Sequence, residues 1–177
     1  MTDAMSVALL GLRIVVGALF AGHGAQKLFG WFGGHGLRDT GGFFESIGFR
    51  PGLPFALLAG TSELVGGLLL ALGLFVPAAA LCLAGVMTSA IAAVHWRNGL
   101  WNQNSGIEFP LVLGTVAFAV ASIGPGRYSL DNAIGIDWHG LWWALGAIGL
   151  GAAGGLLSLL PARMARPQRD RQLREAA

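Results

Sequence analysis

Six ionisable side chains of this 177-residue chain fall inside or at the edges of long apolar stretches: Arg13, His23, Lys27, Glu63, His95 and Glu108. Imidazoles exchange protons and hydrogen-bond near neutral pH, a carboxylate can relay a proton, and an ammonium or guanidinium group can hold a carboxylate or an anion. In hydrocarbon such groups need a partner, because a charge at the bilayer centre costs about 2.5–3.5 kcal/mol even on the gentlest insertion scale. The arrangement that shields them therefore decides what they can do.

The elements that must position them are membrane helices. Apolar residues make up 54% of the sequence and charged residues 11%, against roughly 25% charged in an ordinary soluble domain. Runs at Met5–Leu28, Leu53–Phe75, Ala78–Trp96, Ile107–Ile123 and Leu141–Leu160 are near the ~20 residues that a crossing helix needs. They are continuously apolar rather than alternating, which favours helices over a β-barrel. The expected fold is an all-α integral membrane helix bundle. No basic residue precedes the first run, so it is read as a retained span and not as a secretory signal.

Spacing by four places residues on one helical stripe. Small residues recur this way at Gly17 and Ala21, at Ala59, Gly67 and Ala71, at Gly85, Ser89 and Ala93, and at Ala147, Gly151 and Gly155. Such stripes let helices approach closely in lipid. Arg13 extends the first stripe and Glu63 lies on the second, so both should face the bundle interior. At about 1.5 Å of rise per residue they lie roughly 22 and 15 Å from one end of their helices, near enough for an arginine to reach a carboxylate. A buried Arg13–Glu63 pair is the expectation, serving either as interhelical glue or in function. The same count brings His23, Lys27, His95 and Glu108 to a single layer nearer that end, with Gly22 and Gly24 leaving room beside His23. A hydrogen-bonded cluster at headgroup level is the plainer alternative, and Lys27 could simply snorkel as a topology anchor.

Lys27, Arg38, Arg50, Arg97 and the five arginines after Leu160 fall on one side of a five-span arrangement, and Arg127 on the other. By the positive-inside rule the N-terminus is outside and the C-terminus cytoplasmic. The segment GGFFESIGFRPGLP reads as a short interfacial helix with Phe43, Phe44 and Ile47 dipping toward lipid, ended by Gly48 and Pro51. The tryptophans fall near span boundaries, where the amphipathic indole is at home. Cys82 is the only cysteine, which excludes disulfides, CxxC centres and thiolate clusters within the chain. No metal site and no nucleic-acid partner are expected, and the lipid bilayer is the principal partner.

Taken together, Arg13 in the first span, FAGHGAQKLFG, FFESIGFRPGLPFALLAGTSELVGGLLLALG, AVHWRNGLWN before SGIEFP, and GPGRYSLD resemble the DoxX family of small bacterial membrane proteins, over about Gly11–Asp131. The resemblance implies a four-helix module at 1–135 in the bacterial plasma membrane, grouped with quinone-reducing enzyme subunits and redox-stress proteins. Residues 136–161 would then add a fifth transmembrane helix, and 162–177 a basic, disordered cytoplasmic tail.

The reading these residues favour is a pocket for a quinone-like ring at the cytoplasmic leaflet. His23, His95, Glu108 and Lys27 would meet the ligand, and Glu63 and Glu108 would relay protons. Leu28, Phe29 and Trp96 would form the walls. No flavin or dinucleotide fingerprint is present, so electrons would come from a redox-enzyme partner subunit. The rivals are a small-molecule or proton transporter using a path from Glu108 through Glu63 to Arg13, a haem clasped by the two histidines, and a scaffold recruiting cytoplasmic redox enzymes through the tail.

Overall fold

A computed structural model describes residues 2–160, so the basic tail at 162–177 lies outside the described residues. Among the described residues every regular element is helical: α1 (Asp3–Phe29), α2 (Gly36–Ser46), α3 (Gly52–Leu72), α4 (Val76–Ala90), α5 (Glu108–Ile123), the short α6 (Leu130–Ile134) and α7 (Leu141–Leu157). Helix α4 continues through a π-helical turn at Ile91–His95 and a 3₁₀ turn at Trp96–Asn98. Each apolar run of the sequence has become a helix, with ends shifted by only a few residues. Local chemistry sets several of these ends. The Thr2 hydroxyl caps α1 by accepting from the Met5 amide, and Gly30 closes α1 in the left-handed conformation at φ 74°, where a glycine meets no Cβ penalty.

Three helices are long and apolar enough to cross a membrane: Asp3–Phe29, Gly52–Leu72 and Val76–Asn98, of 27, 21 and 23 residues. Helices α5 and α7 are equally apolar but shorter, at 16 and 17 residues, or about 24–26 Å of helix at 1.5 Å per residue. The bundle is an integral membrane assembly in its surface as well as its length. Val15, Leu58, Leu150, Leu157 and all six tryptophans are exposed on its outside; a surface of that kind is stable against lipid and not against water.

The small-residue stripes are the contact lines between helices. A Cβ built on Gly17 would stand 2.5 Å from the Gly67 carbonyl oxygen, and one on Gly67 would stand 2.5 Å from the Ala21 amide nitrogen. Helices α1 and α3 thus touch backbone to backbone. Gly85, Gly151 and Gly155 do the same for α4 and α7, and the Ser89 hydroxyl donates across that seam to the Gly155 carbonyl at 3.1 Å. Leu9, Val16, Phe20, Leu70, Leu83 and Val120 fill the interior between these seams.

Helix α2 behaves differently from its sequence pattern. Phe44 and Ile47 turn toward Phe49 and Phe55 instead of dipping into lipid, and only Phe43 is largely exposed. The Glu45 carboxylate accepts the Gly52 amide at 3.0 Å, tying the end of α2 to the start of α3.

Candidate functional site

Between α1, α2, α3, α4, α5 and α7 lies a cavity of about 570 Å³, most of its wall apolar. Four of the six ionisable residues singled out above line it: His23 and Lys27 from α1, Glu63 from α3, and His95 from the π-helical turn of α4. Phe20, Phe49, Phe55, Met87 and Phe109 provide apolar wall. A mostly apolar chamber with a few convergent polar groups is the usual form of a small-molecule site.

The charge at its centre is an ion pair between Lys27 and Glu63. The Glu63 side chain is 5% exposed and that of Lys27 27%, so the carboxylate is buried and its ammonium partner reaches it from the rim. This corrects the expected Arg13–Glu63 pair. Helices α1 and α3 run antiparallel, with Gly17 opposite Gly67 and Ala71, and Gly24 opposite Gly60 and Leu64. That register sets Glu63 near the level of Gly24, one turn from Lys27, and sets Arg13 beyond the end of α3. Lys27 is therefore drawn inward by a buried carboxylate and does not simply snorkel to the headgroups.

Arg13 belongs to a separate clasp at the opposite end of α1 and α3. Its guanidinium is fully buried and occupies the space that a side chain at residue 73 would fill, which explains the glycine there. Nη2 donates to the Tyr128 carbonyl at 2.5 Å, whereas Nε and Nη1 are buried without a hydrogen-bond partner among the described residues. Beside it, buried Asp131 accepts the amides of Phe75 and Val76 at 2.8 and 3.3 Å and donates its own amide to the Gly73 carbonyl at 2.9 Å. A carboxylate on the first amides of a helix satisfies orphan donors and complements the helix dipole. Asp131 is thus the cap of α4, a role that residue type alone did not reveal. Its signal in the sequence was an acidic residue within GPGRYSLD, far from the start of α4 in chain order.

Glu108 also departs from expectation. Its Oε2 accepts the Asn102 amide at 2.9 Å, so it closes the loop before α5 and is not among the cavity's lining residues. Thr115 and Ser122, on the same helix, donate to the carbonyls of Leu111 and Phe118 one turn back. The polar stripe of α5 is consumed by its own backbone. Phe29 and Trp96, expected as walls, face outward and are exposed, and Leu28 packs near Gly60; aromatic residues of α2, α3 and the intervening turn take their place.

Both imidazoles are held by a second partner. His23 Nδ1 lies 3.1 Å from Gln26 Oε1, and the ring edge meets Phe109 with centroids 6.3 Å apart. His95 Nδ1 lies 2.6 Å from the Ser105 carbonyl, which the Asn98 amide also reaches at 3.1 Å. Such contacts fix ring orientation. The π-helical turn that carries His95 widens the helix where the cavity abuts it. Turns of this kind often occur at functional sites, and no spacing rule applied to the sequence pointed to it.

The DoxX family model matches residues 8–96 of this chain, about half of its length. No curated relative and no solved structure matches it. The matched stretch holds Arg13, His23, Lys27, Glu63 and His95, and stops short of Glu108 and of the continuation to Asp131 that the motifs had suggested. His23, Lys27, Glu63 and His95, the charged and imidazole residues of the cavity, therefore all lie within the shared segment. The chain is a member of the DoxX family.

Proposed function

We propose that this DoxX protein binds a quinone-class ring in the cavity between its helices and serves there in a redox role with a partner enzyme subunit. The observation that carries the reading is the gathering of His23, Lys27, Glu63 and His95 on one chamber of about 570 Å³ whose other walls are mostly apolar. A quinone has a matching division. Its flat head bears two polar oxygens, and its tail is soluble only in lipid or in an apolar chamber. The ring supplies reversible two-electron, two-proton chemistry when bound. The residues contribute what that chemistry requires: hydrogen-bonding imidazoles, a buried carboxylate able to take a proton, and an ammonium to stabilise negative charge on an oxygen.

The same reading places the cavity at the cytoplasmic leaflet of a bacterial plasma membrane, with the N-terminus outside, on the argument that Lys27, Arg38, Arg50 and Arg97 lie on the side where Lys27 and His95 emerge. Electrons would enter from a partner subunit carrying its own redox centre. The test is binding. A short-chain quinone titrated in both its oxidised and reduced forms onto the detergent-solubilised protein should saturate, and His23→Ala and His95→Ala should each weaken at least one form several-fold. Equal affinity in wild type and both variants would remove the proposed site.

A further inference from the structure

The cavity presents its ligand mainly with hydrogen-bond acceptors, and we infer that its preferred occupant is the reduced, dihydroxy form of the ring, a quinol. This rests on the quinone-class reading of the site and adds which redox form the chain's own residues select.

The second partners of the two imidazoles decide it. The Ser105 carbonyl can only accept, so His95 Nδ1, 2.6 Å away, is the nitrogen that carries the proton. Gln26 donates through Nε2 to the Phe32 carbonyl at 3.2 Å. That bond fixes the amide orientation and leaves Oε1, an acceptor, 3.1 Å from His23 Nδ1. His23 is therefore protonated on Nδ1 as well. A neutral imidazole has one N–H, so each ring keeps a bare lone pair on Nε2, neither Nε2 has a hydrogen-bond partner among the described residues, and both rings line the cavity. Glu63 accepts from Lys27 through Oε2 and offers Oε1 as a third acceptor. Against these stand the remaining N–H groups of Lys27, the weakly donating Cys82 thiol and the Ser62 hydroxyl, which can act either way, while the Ser89 and Ser158 hydroxyls donate to the Gly155 carbonyl.

A quinone carbonyl can only accept. Set against Nε2 it makes no bond and displaces water that would have donated one. A quinol hydroxyl donates to Nε2 and still accepts from Lys27. One such bond gained, or one buried acceptor left unmatched, corresponds to about tenfold in affinity. A tenfold preference for the quinol raises the midpoint potential of the bound two-electron, two-proton couple by about 30 mV, so the site favours electron flow into the quinone.

The experiment compares one short-chain benzoquinone with its hydroquinone on the purified full-length protein in nanodiscs, under argon in mildly alkaline buffer, by calorimetry. The hydroquinone should bind about tenfold tighter. In His23→Phe and His95→Phe, which keep the ring volume but remove the acceptor, that ratio should fall toward unity. Equal affinity, or a tighter quinone, in the wild type would overturn the inference and leave the quinone-class site standing. A ratio unchanged in both variants would overturn it too, by removing Nε2 as its cause. Binding of neither form would overturn the underlying reading with it.

Discussion

Consider the effect of removing Lys27. Glu63 is almost wholly enclosed and Lys27 is its only cationic partner among the described residues, so Lys27→Met leaves a buried carboxylate without that partner. Breaking one side of a buried pair typically destabilises by about 3–5 kcal/mol. Partial exposure of Lys27 argues for the low end of that range. Glu63→Gln leaves an ammonium that can turn outward to water, and should cost about 1–2 kcal/mol. The double variant should resemble Glu63→Gln alone, giving a coupling of about 3 kcal/mol in a double-mutant cycle. The assay is reversible unfolding in bicelles with a denaturing detergent. Its control is the parallel cycle with Arg13→Met and Glu63→Gln, which should couple by less than about 0.5 kcal/mol because the two side chains belong to different clusters. Strong Arg13–Glu63 coupling together with weak Lys27–Glu63 coupling would refute the antiparallel register from which the site is built.

Three further outcomes follow from the same geometry. Gly67→Leu should prevent α1 and α3 from closing, because its Cβ would stand 2.5 Å from an amide nitrogen of α1; the expected result is loss of folded, monodisperse protein in size-exclusion chromatography, whereas Gly114, where a Cβ would meet nothing within 4 Å, should tolerate Ala. Asp131→Ala removes two amide contacts at the start of α4 and should lower stability by about 2 kcal/mol in the same unfolding assay. Glu108→Ala opens a loop contact remote from the cavity lining, so short-chain quinone affinity should be unchanged; a marked loss would return Glu108 to the site.

The helices were legible because their signal is long and redundant. A long apolar run such as Leu53–Phe75, carrying the single charge Glu63, has few other readings in a chain with so little charge. The helix contact lines were legible for a related reason: Gly17, Gly67, Gly85 and Gly151 repeat at helical spacing, and the structure uses each as a point of backbone approach. Partner choice was not legible. Counted along isolated helices, Arg13 lies roughly 7 Å and Lys27 roughly 13 Å from the level of Glu63, so depth alone favours the arginine. Only the offset between α1 and α3, set by which glycine meets which, reverses that order. Capping roles were hidden as well, since Glu108 and Asp131 satisfy backbone amides in turns whose shape has no periodicity. The direction of α2 required knowledge of its neighbours: Phe44 and Ile47 would suit lipid equally, and they face inward because Phe49 and Phe55 offer a surface to pack on.

The most direct measurement of the central claim is where a quinone sits. A photoreactive short-chain quinone irradiated with the protein in vesicles, followed by peptide mass spectrometry, should label α1 around His23 and the π-helical turn around Val94 and His95, and an excess of the unlabelled compound should abolish both labels. Label confined to the outer faces, at residues such as Val15 or Trp142, and insensitive to competitor would contradict the account.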